Sequence, residues 1–324
     1  MNRTNIVAAA VALAMFSANA ALAQAPAYPA KPIRIVSPFP PGGSVDAVAR
    51  LIANDLAKPL GQQIVVDNRS GASGNIGCEL VKNALPDGYT LLLNTLPFVT
   101  NQFLYSRVPY DALNDFAPIS LISSSPSMLT VHPSLPAKTI KDLIALAKAR
   151  PGKLNYGSAG TATNPHIAGE LFNYLAGTNL VAVHFKGGGP ALIATMAGET
   201  EITFSNISET FPLVASKRLR ALGVTSLKRA RVAPDIPTLV EAGLPGYDFT
   251  TWHAFVAPKN TPPAVIATLS EKVRTTLRTP EETQRFADRG LDMVASTPDE
   301  LATHLKNEAQ KWGRVIRERG MKAE

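Results

Sequence analysis

Ser158-Ala159-Gly160-Thr161-Ala162-Thr163-Asn164-Pro165-His166 joins two segments of opposite character. Lys153 to Gly157 before it reads as a short strand, and Ile167 to Phe172 after it opens a helix. Small residues let backbone approach a ligand closely, and Pro165 suits a first helical turn, where its missing N–H is not needed. The free N–H groups and positive dipole end of such a helix favour an anion. A matching loop, Pro38-Phe39-Pro40-Pro41-Gly42-Gly43-Ser44, again lies between a strand and a helix. The two loops are expected to face each other across a cleft and hold a small carboxylate.

Working outward, Ile33 to Val36 is a β-branched strand. Ser44 is placed to cap a helix carrying Val45, Val48, Leu51, Ile52 and Leu56 at helical spacing, with Gly61 at its end. Gln63 to Asp67 makes a second strand, followed by the Gly-rich loop Asn68 to Asn75 and a helix over about 76–84. Tyr89 to Asn94 is a third strand, apolar almost throughout, as burial on both faces demands. Three β-then-α units in succession predict a parallel sheet covered by helices.

Leu113 to Pro133 breaks that rhythm, with strand-like runs at Ala117–Ile122 and Ser127–His132 and no helix between. There the chain is expected to leave a first α/β domain for a second. The second domain is built from a Thr139-capped helix, the strand–loop–helix around Ser158, the strand Leu180–Phe185, the glycine loop Lys186 to Pro190, and strands at Glu201–Asn206 and Leu219–Val224. Asp248 to Pro258 reads as a second crossing back to the first domain. A last helix, capped by Thr297 with Glu300, places Leu301, Leu305, Ala309, Trp312 and Ile316 on one stripe. The domains are thus expected at 24–125 plus 252–324 and at 126–251, two extended linkers allowing a hinge.

The first 23 residues read as a signal peptide: Arg3, then an apolar run from Ile6 to Phe16, then Ala21-Leu22-Ala23 before Gln24. Removing 23 of 324 residues leaves 301, and the formal charge drops from +7 to +6 with the loss of Arg3. No other run approaches the ~20 apolar residues of a membrane span. Basic residues are scattered rather than striped with aromatics, which argues against nucleic acid. Cys78 is the only cysteine, so no intramolecular disulfide forms, and its helical setting predicts a small core residue.

The five histidines are isolated, and HExxH, CxxC and EF-hand patterns are absent, so neither metal nor cofactor is expected. A nucleophile elbow fails because Tyr156 stands two residues before Ser158. No catalytic residue is assigned. Three Gly-rich strand–helix loops near 42, 71 and 160, and a fourth near 188, belong where open α/β sheets collect ligands. Lys186 is either a cation at the ligand or a solvated lysine, and Arg69 a cation or a structural ion pair. Asn206 either faces the cleft, where its amide both donates and accepts, or caps a turn. His166 is a ligand contact or packing, and Asp46 complements the dipole of its own helix.

With these residues laid out, the chain resembles the Bug-type extracytoplasmic solute receptors of tripartite tricarboxylate transporters. The phrases carrying the likeness are Tyr-Pro-Ala-Lys-Pro-Ile-Arg-Ile-Val from Tyr28, Pro-Phe-Pro-Pro-Gly-Gly from Pro38, Pro-Asp-Gly-Tyr-Thr from Pro86, Pro-Gly-Lys-Leu-Asn-Tyr-Gly-Ser-Ala-Gly from Pro151, Leu-Arg-Ala-Leu-Gly-Val-Thr-Ser from Leu219 and Pro-Asp-Ile-Pro-Thr from Pro234. The resemblance implies a periplasmic, two-lobed α/β Venus-flytrap of the type II class with two crossover strands. It implies a carboxylate clamped by backbone amides and bridging waters, delivery to integral-membrane permease subunits, and action as a monomer. The ligand set it implies, together with the loop reading, is Phe39, Pro41, Gly42, Gly43, Ser44, Gly71, Ala72, Ser158, Ala159, Gly160, Thr161, Thr163, Lys186 and Asn206. Ala162, where the family often has glycine, is expected to narrow the backbone's approach to the ligand, and Gly187-Gly188-Gly189 to loosen the second lobe's edge. A sensor for a signalling partner, or an enzyme on the same scaffold, are the rival functions.

Overall fold

A computed structural model describes residues 28–322; the expected signal peptide at 1–23 lies outside them. The first half begins as the sequence predicts. Strand β1 (Ile33–Ser37) leads through the Pro/Gly loop to helix α1 (Ser44–Leu60), then β2 (Ile64–Asn68), a 3₁₀ turn (Ala72–Gly74), α2 (Asn75–Lys82) and β3 (Thr90–Asn94). β1 pairs in parallel with both β2 and β3. Val45, Val48, Ile52 and Leu56 of α1 are buried against this sheet, while Leu51 is only partly covered. Ser44 does not cap α1. Gly43 holds the N-cap position, with no side-chain hydrogen bond there, because the helix starts one residue earlier than the serine reading requires. Helix α3 (Pro97–Leu104) follows β3 and has no counterpart in the sequence reading.

The two runs expected between Ala117 and His132 are one continuous sixteen-residue strand, β4 (Phe116–Val131). Its first part, Phe116 to Pro126, pairs antiparallel with β9 (Thr250–Pro258). From Ser127 to Val131 it pairs instead with β7 (Ile202–Asn206) and, from Met128, with β8 (Arg220–Val224). Pro126 lacks an N–H but sits where the partner changes, so no ladder position is lost in mid-sheet. Register shifts between Pro118 and Ser120 and between Leu121 and Ser123 let the strand bend along its length. β4 therefore belongs to both halves of one curled sheet; with β5 (Asn155–Ser158) and β6 (Val181–His184), the order is β2-β1-β3-β9-β4-β7-β5-β6.

The second half repeats the strand–helix logic. α4 (Ile140–Ala149) carries a full Thr139/Asp142 capping box, and β5 (Asn155–Ser158) leads to α5 (Asn164–Ala176). β6 (Val181–His184) leads to α6 (Gly188–Ala197), and β7 runs into α7 (Ile207–Ala215). β5 pairs in parallel with β6 and β7, so α5, α6 and α7 all start at the same edge of the sheet.

After β9 the chain forms α8 (Pro263–Leu277), α9 (Pro280–Ala287), the short β10 (Asp292–Met293) and α10 (Pro298–Arg319). α10 begins with a Thr297/Glu300 capping box, and its stripe from Leu301 to Ile316 is buried as the spacing predicts. Glu308 on α10 accepts the indole N–H of both Trp252, at 2.9 Å, and Trp312, at 3.0 Å, which fixes the helix to β9. Cys78 is fully buried; Asn94 donates to its sulfur at 2.9 Å, and burial pushes the thiol pKa up to about 12. A thiol so held is a core residue rather than a nucleophile.

Candidate functional site

A cavity of about 280 Å³ opens between the two halves of the sheet, close to the lower end of the usual size for small-molecule sites. Five helices begin on its wall: α1 at Gly43 and Ser44, α3 at Pro97, α5 at Thr163 and Asn164, α6 at Gly187 and Gly188, and α7 at Asn206. Each presents the end where backbone N–H groups lack intrahelical partners and the dipole is positive. Phe39 and Phe204 contribute apolar surface between them.

On the first lobe, the Pro/Gly loop is held from behind. Asn68, ending β2, donates its amide to the Phe39 carbonyl at 3.1 Å and to Asp46 at 2.9 Å. Asp46 in turn accepts the Gly42 N–H at 3.0 Å and pairs with Arg50 at 3.0 Å. Burial works against the charge on Asp46, but the hydrogen bonds from Arg50, Gly42 and Asn68 outweigh it and hold its pKa below the usual carboxylate range. The carboxylate is neutralised within the protein and serves to shape the loop.

On the second lobe, the turn after β5 is closed on itself. Ser158 Oγ and Thr163 Oγ1 both donate to the Gly160 carbonyl, at 2.9 and 2.7 Å. Gly160 has φ 126°, a conformation that side-chain-bearing residues rarely adopt. Ala162 sits at φ 61° with its N–H donated to His166 Nδ1 at 3.0 Å. His166 is therefore a neutral ring that anchors the turn, and burial, reinforced by His184, pushes its pKa down to about 4. The expectation that Ala162 narrows the approach to the ligand is not met. Its methyl is fully buried in the core, and the departure from glycine costs left-handed backbone strain of roughly 1 kcal/mol instead.

Of the expected ligand contacts, Phe39, Pro41, Gly42, Gly43, Ser44, Ala159, Thr163, Lys186 and Asn206 lie on the cavity wall. Ser158, Gly160, Thr161, Gly71 and Ala72 are not part of that wall. Ser158 turns its hydroxyl inward, while Thr161 gives its carbonyl to the Ser73 hydroxyl, so the turn after β2 touches the turn after β5 beside the cavity. Asn101 and Tyr105 on and beyond α3 brace Ser73 at 3.0 and 3.1 Å. A second bridge between the halves runs from Asn164 Nδ2 to Thr95 Oγ1 at 3.1 Å and to Thr251 Oγ1 at 3.2 Å. Gly187, at φ 115°, lies so near Pro40 that a Cβ there would stand 3.6 Å from its ring. Arg69 is paired with Asp67 at 2.9 Å, the structural alternative of its two readings.

These features place the chain among known proteins. The model of the tripartite tricarboxylate transporter family receptor matches residues 48–321. The chain belongs to that family. It is 35% identical over 327 residues to the protein BugT of Bordetella pertussis, covering 99% of each chain. The structure of Rpa4515 with adipate, from R. palustris, superposes with a TM-score of 0.88 at 34% identity, covering 91% of this chain and 99% of that one. MatC from Rhodopseudomonas palustris with bound malate gives 0.84 at 30% identity, covering 89% and 100%. This family receptor thus has the two-lobed α/β binding-protein fold, with β4 and β9 as its crossover strands, and no helix among the described residues is long and apolar enough to cross a membrane.

The receptor's wall also holds residues that the sequence reading passed over: Thr95, Ser127, Asn164 and Glu209. Glu209 stands in the first turn of α7, three residues after Asn206, and burial pushes its pKa up to about 7. Lys186 is exposed at the rim and makes no ion pair among the described residues. A signal for Asn164 existed, since it begins the helix that the opening stretch announces. Glu209 carried only the ordinary mark of an acid in a first helical turn.

Proposed function

We propose that this receptor captures a small carboxylate-bearing organic acid in the cavity between its lobes, closes on it, and delivers it to integral-membrane permease subunits. The single observation that carries the reading is the convergence of five helix starts on one ligand-sized cavity whose wall bears a free lysine. Unpaired N–H groups in a partly desolvated cleft bind a carboxylate by charge-assisted hydrogen bonds, each worth about 1.5–3 kcal/mol. Adipate and malate in the relatives' structures fit the same chemistry.

The lobes are assigned to 24–125 with 252–324 and to 126–251, and the pairing of β4 supports this division by changing partner between Pro126 and Ser127. Residues 1–23 act as a signal peptide, placing a monomeric receptor in the periplasm. The ligand set remains as the loops give it, weighted toward the residues on the wall.

A thermal-shift screen over mono-, di-, hydroxy-, amino- and aromatic carboxylates tests the reading. A ligand at ~100 times its dissociation constant stabilises the folded form by about 2.7 kcal/mol. For a chain of this length that corresponds to a rise of about 4 °C in midpoint. A screen in which neutral sugars raise the midpoint and no carboxylate does would overturn it.

A further inference from the structure

We infer that Glu209 forms an accepting pole that selects, among carboxylates, those carrying an ammonium group opposite the carboxylate. The inference rests on the carboxylate-receptor reading above and names the ligand class of that site. Glu209 lies on the cavity wall in the first turn of α7, whose N-cap position is held by Asn206. Taking a carboxylate out of water without supplying a donor is unfavourable, so an unpaired one on the wall marks where a donor belongs.

The topology sets the helix that carries Glu209 beside α5. β5 and β7 are adjacent parallel strands, so α5, beginning at Asn164, and α7, beginning at Ile207, emerge side by side at the cavity. Among the described residues the Glu209 carboxylate makes no hydrogen bond or ion pair, and it lies beside the start of α6. A Cβ built on Gly188 would stand 3.5 Å from Oε2 and 3.9 Å from Oε1.

That placement divides the cavity. The α6 start, which would otherwise suit an anion, stands beside the protein's own carboxylate, so a second ligand carboxylate arriving there meets a like charge. The α1 start is different: Gly43 offers no side chain, and Asp46 is consumed by Arg50, Asn68 and the Gly42 N–H. The ligand carboxylate therefore belongs at the first lobe and a donor at the second. Lys186 is the other ionisable side chain on the wall and stands at the rim on the loop before α6. It lies beyond ion-pair distance of Glu209, leaving that carboxylate for the ligand.

The test is calorimetric binding at pH 8, where Glu209 is ionised, using 6-aminohexanoate against adipate and 5-aminopentanoate against glutarate. Wild type, E209Q and E209A are compared, with thermal midpoints showing that each variant is folded. The ω-amino acid is expected to bind wild type at least 30-fold more tightly than the diacid of equal length. E209Q and E209A should erase that ratio by weakening the amino acid and strengthening the diacid. Diacids binding wild type as tightly as their amino partners, or a ratio unchanged in E209Q, overturns the inference while leaving the receptor reading intact. No carboxylate of either kind binding overturns the carboxylate reading itself.

Discussion

Replacing Gly43 by aspartate separates ligand binding from folding at the first-lobe jaw. Gly43 has φ −83° and ψ 173°, extended backbone open to any residue, and a Cβ there would meet nothing nearer than the Pro40 carbonyl oxygen at 3.8 Å. It is the N-cap of α1, whose first intrahelical bond runs from the Ala47 N–H to the Gly43 carbonyl at 3.0 Å. Aspartate is among the best N-cap residues and exceeds glycine there by a few tenths of a kcal/mol, so the variant should be as stable as wild type or slightly more so. Its carboxylate would take the N–H groups that the ligand needs and stand about 4 Å from the ligand's own charge. At an effective dielectric of about 20 that repulsion is about 4 kcal/mol. Allowing for screening, affinity for a carboxylate should fall at least ~100-fold. Gly43→Asn is the uncharged control of the same shape and should remain within ~10-fold of wild type, since only part of the donor set is lost. Calorimetric titration and urea midpoints on both variants decide the matter. Aspartate binding like wild type, or asparagine losing as much as aspartate, would refute the anion jaw. Gly160→Asp would be a poorer probe, because at φ 126° any side chain strains the backbone and misfolding would mimic lost binding.

Acid should weaken the protein through its buried imidazoles. His253, on β9 and bonded to Ser123 Oγ of β4 at 3.1 Å, is fully buried, and burial pushes its pKa down to about 4. A free imidazole at about 6.5 takes up a proton sooner than this one, so stability is complete above pH 6.5 and falls as pH drops toward 4. At pH 5 the loss is about 2 kcal/mol for His253, and His166 adds a loss of the same sign over the same window. Glu209, with its pKa raised to about 7, contributes with the opposite sign in wild type and variant alike, so lowering the pH from 7 to 5 should be less favourable to wild type than to His253→Gln in urea unfolding; equal changes in both proteins would refute the assignment. Trp312→Ala should cost about 3–5 kcal/mol in urea unfolding, because a fully buried indole is lost and Glu308 keeps only Trp252. A loss under 1 kcal/mol would show that α10 is not fixed through this ring.

What the sequence reveals and what it hides divide along the range of the interactions. The α10 stripe, the Thr139 and Thr297 capping boxes and the parallel β1–β3 unit are set by neighbours within a few residues, and all were legible. The α8 helix was overlooked behind Pro262 and Pro263, although Leu269, Val273 and Leu277 recur at four-residue spacing and are all buried. β4 looked like two strands because Ser123 to Pro126 interrupts its apolar pattern. Ser123 and Ser125 are buried and satisfied by distant groups: Ser123 faces His253, and Ser125 donates to the Gly290 carbonyl at 2.8 Å. Burial of a polar strand segment depends on partners more than a hundred residues away, which no local window contains.

The same division explains the site. The jaws are legible because Gly-rich turns between strands and helices are local signals, and on the proposed reading they bind through backbone alone. Backbone donors recognise the carboxylate and are indifferent to the rest of the ligand. On the proposed reading, discrimination comes from the opposite wall, where Glu209 stands near the start of α5 because β7 lies beside β5 in the sheet. Glu209 stands 45 residues after Asn164, and nothing in the spacing announces that their helices start at one cavity. On that reading, helix starts fix the class of ligand, and a side chain placed by strand order fixes its identity. A substitution at Glu209 should therefore change which acid is bound while one at Gly43 changes whether any acid is bound.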